Sequence, residues 1–181
     1  MAAVRRQFET NVFGLLRLTQ LVLPGMRAAG RGRVVNVSSM GGRMTLPGGG
    51  IYHASKYAVE ALSDALRFET RGFGIGVSVV APGPVHTEFA EEATAVPEGD
   101  GPYAGFMRGM AARNAAAYHR HDARGTLDAK DVAEVIVTAL ESAHPRARYP
   151  VGLVSRQVVG ARRLLPTAVW DAALRRQYPT P

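Results

Sequence analysis

Arg33-Val34-Val35-Asn36-Val37-Ser38-Ser39 is a short β-branched run set off by Gly30 and Gly32 on one side and by Gly41, Gly42 and Pro47 on the other. It reads as a buried strand. Working back from it, Phe8, Val12, Leu15, Leu16, Leu18, Leu21, Val22 and Leu23 recur at helical spacing between Gln7 and Met26, with Pro24 near the end. Working forward, Tyr52 to Thr70 is again helical and offers Ala54, Ala58, Ala61, Leu62, Ala65, Leu66 and Phe68 to a core face. Gly72, Gly74 and Gly76 then read as a helix C-cap and turn leading into a second strand, Val77 to Ala81. Two helix-then-strand units in succession predict a parallel sheet with helices on its faces, an α/β architecture.

Beyond this, residues 88 to 126 start acidic and become rich in Gly, Ala and Arg, the pattern of a lid or substrate loop with helical pieces. Asp128 to Ala143 is amphipathic, with Asp128 placed to cap it and Asp131 to favour its dipole. Arg148 to Val151 suits a last strand, and Val158 to Arg176 a closing helical segment broken at Pro166. No repeat or long linker divides the chain, so residues 1–181 are expected to form a single domain.

Composition excludes several function classes. With 46% apolar and 20% charged residues the chain can bury a core. No apolar run approaches the roughly 18 residues of a membrane span, and the opening MAAVRRQFET lacks a signal-peptide core, which leads to a cytoplasmic expectation with no membrane partner. The absence of cysteine removes disulfides, thiolate catalysis and cysteine-based zinc sites. A net charge of +7 would suit an anionic partner, but the arginines are scattered from Arg5 to Arg176 without interleaved aromatics, so no nucleic acid is expected. His119 and His121 lack a third ligand in register, and no metal site is expected.

Tyr52-His53-Ala54-Ser55-Lys56 carries the chemistry, because residues four apart share one face of a helix. A lysine ammonium there would favour tyrosinate and bring the phenol down from about 10 toward a value usable near neutrality. The phenol could then give a proton to a carbonyl oxygen or take one from an alcohol. Ser39 lies thirteen residues before Tyr52 at the end of a strand, where open α/β sheets build their sites, and could hold the substrate oxygen.

The order VNVSS, YHASK, PGPVHT resembles the short-chain dehydrogenase/reductase family, and the wording PGPVHTEF with KYAVEALSDALRFE is most similar to its 17β-hydroxysteroid and retinol dehydrogenase-like branch. The resemblance runs through almost the whole chain from about Gln7. It implies an NAD- or NADP-dependent oxidoreductase that interconverts a small-molecule alcohol and a carbonyl by hydride transfer. Ser39, Tyr52 and Lys56 match the family's catalytic set, with Tyr52 the general acid/base. Asn11, in Asn-Val-Phe-Gly, matches the asparagine that holds a proton-relay water near Lys56. Tyr52, Lys56, Pro82, Gly83, Val85 and Thr87 match cofactor-binding positions, with the Val85 backbone and Thr87 hydroxyl facing the nicotinamide carboxamide. His53 and His86 have no required role in the family pattern.

The same resemblance implies a partial Rossmann-like, doubly wound parallel sheet. The family's strand order is 3-2-1-4-5-6-7, and only the last three strands have counterparts here. The glycine-rich nucleotide turn, the residue selecting NAD or NADP and the Asn-Asn-Ala-Gly strand have none, so the chain is expected to be an N-terminally truncated domain starting at an internal methionine. The strand at Arg33 to Ser39 would then be an open edge, and nearby helices would expose apolar faces. Two readings follow: an oxidoreductase polypeptide, or an inactive remnant or partner-dependent subunit with an oligomerisation role. The helices containing Asn11 and Tyr52 often form the family's subunit interface, so a homo-oligomer is expected.

Overall fold

A computed structural model describes residues 1–87, 101–118 and 127–178. The chain opens with one long helical run: α1 (Ala2–Phe8), a π-helical turn (Glu9–Gly14) and α2 (Leu15–Ala28). It turns at Gly30, whose φ is +63°, into β1 (Gly32–Val37). A 3₁₀ turn (Met40–Gly42) and a glycine-rich loop lead to α3 (Gly50–Glu69), followed by β2 (Ile75–Pro82) and the two-residue β3 (Val85–His86). Then come α4 (Ala104–Tyr118), β4 (Leu127–Asp128), α5 (Ala129–Glu141), β5 (Arg148–Val151), α6 (Leu153–Leu164) and α7 (Thr167–Gln177). The break at Pro166 is where the sequence puts it, although α6 begins five residues earlier than predicted. The predicted lid contains α4; residues 88–100 and 119–126, with His119 and His121, lie outside the described residues.

The sheet order is β1-β2-β5, all parallel, with Gly32 opposite Ile75, Val37 opposite Val80, and Val79 opposite Arg148. Helices lie on both faces, as strand alternation shows. Asn36 donates to Ser63 of α3, whereas its neighbours in the other phase meet α5: Arg33 reaches the Ser142 carbonyl at its end, and Val37 lines a cavity with Val132 and Ile136. β2, the central strand, is buried almost throughout and supplies Ile75, Val77, Val79, Val80 and Ala81 to the core. Among the described residues β1 has no strand on its outer side, so it is an edge.

Two expectations need correction. Ser39 stands just past β1 rather than within it, since the ladder ends when the Ser38 N–H donates to the Val80 carbonyl and Ser39 caps the 3₁₀ turn. More consequential is the face of α3. The alanines expected in the core are largely outside: Ala54, Ala61 and Ala65 are exposed, and Phe68 is 79% exposed. The buried residues are His53, Ser55, Val59, Glu60 and Ser63. Hydrophobic periodicity fails here because the polar side chains find partners on other elements, which removes most of the cost of burying them.

The turn into β2 forms, but the C-cap of α3 is Thr70, and β2 takes in Ile75 and Gly76, which the sequence leaves in the turn. Gly74 has φ +69°, and a Cβ there would collide with the Gly30 carbonyl. At the start of α5 Asp128 and Asp131 form a capping box, in which Asp131, expected only to favour the dipole, accepts the Asp128 N–H at 2.8 Å. No helix among the described residues is long and apolar enough to cross a membrane.

Candidate functional site

At the C-terminal ends of β1 and β2 lies a cavity of about 410 Å³. Asn11, Ser39, Tyr52 and Lys56 all line it, and so do Pro82, Gly83, Val85 and Thr87. Residues from five separate stretches of the chain thus converge beyond the ends of β1 and β2. A larger cavity of about 710 Å³ between α3 and α6 contains none of them.

Each side chain is placed by its element. Tyr52 and Lys56 sit one turn apart at the start of α3, with the Lys56 Nζ 5.9 Å from the centre of the phenol ring. Ser39 is in extended backbone, and its hydroxyl accepts the Gly41 N–H at 3.1 Å while hydrogen-bonding the Tyr52 side chain. Asn11 lies inside the π-helical turn. Such a turn inserts a residue into the helical repeat and re-aims the side chains around it. The Asn11 amide donates to the Ser55 hydroxyl at 3.0 Å, and Ser55 donates in turn to the Tyr52 carbonyl at 2.7 Å. Asn11 is therefore tied to α3 directly. Ser55, fully buried, is a connector that sequence reasoning passed over, although it lies inside the quoted YHASK.

The loop after β2 is fixed from two sides. The Gly83 N–H donates to the Val151 carbonyl of β5 at 3.1 Å, and β3 pairs in parallel with β4, Val85 opposite Leu127. The opposite wall comes from α5, where Ala129, Val132, Ala133 and Ile136 share one face. Sequence periodicity marks α5 as amphipathic without saying what its apolar face covers. Among the described residues no group of histidine and carboxylate side chains could hold a metal ion.

The electrostatics depart from the sequence expectation. Burial pushes the Tyr52 phenol above its usual value, with the Ser39 hydrogen bond opposing that push, whereas the Lys56 neighbour was expected to lower it. Lys56 lies near the ring face, but its ammonium donates to the Val37 carbonyl at 3.1 Å, and burial pushes its own pKa down. The cation is thus engaged by the end of β1. In this state the chain favours a neutral phenol at pH 7.

The family model for short chain dehydrogenase matches residues 1–97. Among curated proteins, the chain is 41% identical over 174 residues to the uncharacterized oxidoreductase YbbO of Escherichia coli strain K12, covering 96% of this chain and 60% of that protein. It is 34% identical over 157 residues to human 17-beta-hydroxysteroid dehydrogenase type 1, covering 81% of this chain and 45% of the human enzyme. Among solved structures, a short-chain dehydrogenase from Streptomyces avermitilis superposes with a TM-score of 0.72 at 28% identity, again over 96% of this chain and 60% of the other. The chain thus spans about 60% of the length of relatives such as YbbO.

Proposed function

Because this chain belongs to the short-chain dehydrogenase family, we propose that its cavity is the catalytic half of an NAD- or NADP-dependent oxidoreductase site interconverting an alcohol and a carbonyl. The observation that carries this is the convergence of Ser39, Tyr52 and Lys56, with the Pro82–Thr87 loop, on one cavity at the C-terminal edge of a parallel sheet.

The donor set suits the nicotinamide-ribose end of such a cofactor. Lys56 offers a cation, Tyr52 and Thr87 offer hydroxyls, Val85 offers backbone, and Pro82 and Gly83 offer a wall with little side chain. When bound, the nicotinamide would exchange a hydride with the substrate carbon. The protein's part is positioning and proton movement. Ser39 holds the substrate oxygen against the phenol. Tyr52 takes the hydroxyl proton as an alcohol is oxidised, or gives one to the oxygen as a carbonyl is reduced. Lys56 stabilises the phenolate by its charge, and Asn11 holds water through which Lys56 exchanges its proton. We take residues 1–181 as one domain supplying this end of the site. The sequence holds no glycine-rich turn from a strand into a helix, so these residues would not by themselves cradle a pyrophosphate.

NADH and NADPH fluorescence titration, alongside oxidation and reduction assays on alcohols and ketones, tests the proposal. Tyr52→Phe should lower turnover by roughly 10²- to 10⁴-fold. Turnover equal to that of the parent would remove Tyr52 from the chemistry.

A homo-oligomer is the partner proposed with it. On α2, Leu18 is 64% and Leu21 59% exposed, and Ala54, Ala61 and Ala65 of α3 are exposed as well. Apolar faces of this kind support association between copies.

A further inference from the structure

We propose that His53 is a positioning residue of the site: it fixes Gly41, whose N–H in turn orients the Ser39 hydroxyl toward Tyr52. This rests on the reading of Ser39 and Tyr52 as the pair that handles the substrate oxygen.

His53 follows Tyr52 in sequence but points the other way, into the protein, and is 7% exposed. Its ring bridges the loop that joins Ser39 to α3. Nδ1 lies 3.0 Å from the Gly41 carbonyl, and Nε2 lies 3.2 Å from the Leu46 backbone nitrogen. A carbonyl only accepts and a backbone N–H only donates, so both bonds form in one state alone: the neutral ring with its proton on Nδ1. Burial, which holds the pKa of His53 below its usual value, favours that neutral ring.

Gly41 is consequently held on both sides. Its carbonyl takes the His53 proton, and its N–H donates to the Ser39 hydroxyl oxygen at 3.1 Å. With one lone pair of that oxygen engaged, the Ser39 hydroxyl is constrained in where it can turn to meet Tyr52. The loop is shaped around the ring. A Cβ on Gly41 would stand 2.5 Å from Nδ1, and one on Gly49 would stand 2.8 Å from Nε2, so glycine occupies both positions the ring presses against. Edge packing against the Tyr52 ring, at 5.7 Å between centroids and 65° between planes, completes the contact. His53 touches neither substrate nor the reacting atoms in this arrangement. It acts through Gly41 and Ser39.

The first test needs no substitution. A long-range ¹H–¹⁵N spectrum of the chain at pH 7 should show His53 protonated at Nδ1 and bare at Nε2. The opposite tautomer or a cation overturns the proposal. The second reads Tyr52 itself by ¹³Cζ-tyrosine NMR, with the resonance assigned through Tyr52→Phe. Ser39→Ala should raise the Tyr52 titration midpoint by about half a unit or more, since it removes the hydrogen bond that favours the phenolate. His53→Gln, whose amide sits at the Nε2 side, should reproduce most of that shift. His53→Asn, whose amide nitrogen falls near Nδ1 and keeps the bond to Gly41, should stay close to the parent. Circular dichroism and melting establish that both fold. Equal shifts for Asn and Gln, or none for Gln while Ser39→Ala shifts, overturn the role of His53 alone. No shift for Ser39→Ala overturns the Ser39–Tyr52 pairing and this proposal with it.

Discussion

At the scale of single residues, the inner face of α3 is held by matched polar groups. Ser63 accepts from the Asn36 amide at 2.9 Å and donates to the Val59 carbonyl at 2.6 Å, both within the core. Ser63→Ala would leave the Asn36 amide buried without its partner. Chemical denaturation should then show a loss of about 1–3 kcal/mol; a loss under about 0.5 kcal/mol would mean that the amide finds another acceptor. His53 gives the fold a pH dependence of definite sign. Its folded pKa lies below the unfolded value of about 6.5, so under acid conditions the unfolded chain binds a proton that the folded one resists. That contribution is intact above about pH 6.5 and is lost as pH falls below it toward the folded value. The melting temperature should therefore drop between about pH 7 and 5, and His53→Asn should flatten the drop. An equal drop in the variant would assign it elsewhere. Asp64, lowered by its hydrogen bond to Arg148, adds a loss only at more acid pH, below the ordinary carboxylate value.

Between elements, the position of α3 against the sheet depends on Arg148. From β5 its guanidinium reaches Glu60 at 2.9 Å and Asp64 at 2.5 Å, one helical turn apart, so a single side chain sets both the height and the rotation of the helix bearing Tyr52 and Lys56. Glu60 is buried, with Arg43 3.8 Å away as its other cation. Arg148→Ala leaves a buried carboxylate with little compensation and should cost about 2–3 kcal/mol, read by thermal or denaturant melts. Arg148→Lys recovers only part, because an ammonium cannot serve both carboxylates in that forked geometry. Full recovery with lysine would show that charge rather than geometry holds the helix. The sequence marks both helix and strand, but the pairing of residues 148 and 60 across 88 positions depends on which way α3 is rolled. Hydrophobic periodicity chose the alanine side, and the roll was decided by hydrogen bonds it does not register.

At the scale of the whole molecule, β1 is the outer strand of the sheet among the described residues, and the helical run of α1 and α2 leaves an apolar side open. Phe13, Leu16, Leu18, Leu21 and Val22 are exposed, as is Val37 at the end of the edge strand. An edge strand and an uncovered apolar face both favour association. Sedimentation at increasing protein concentration should show assemblies larger than one chain, and Leu18→Glu with Leu21→Glu should shift the population toward monomer. A monomer at all concentrations would refute the oligomer.

The sequence by itself determined the α/β class, the order of the main helices and parallel strands, and, through the family resemblance, eight of the fourteen residues that line the cavity. These are written locally: β-branched runs, glycine turns and a four-residue spacing each carry their meaning within a few positions, and the order of the motifs carries the rest. What only the tertiary structure decided was which face of α3 is buried, that Asn11 ties to α3 through Ser55, that burial raises the Tyr52 phenol while the Val37 carbonyl engages Lys56, and that His53 bridges Gly41 and Leu46. Each of these depends on the distance between groups far apart in the chain or on the depth of a group below the surface. Neither is a property of spacing, so neither could be read before the elements were packed.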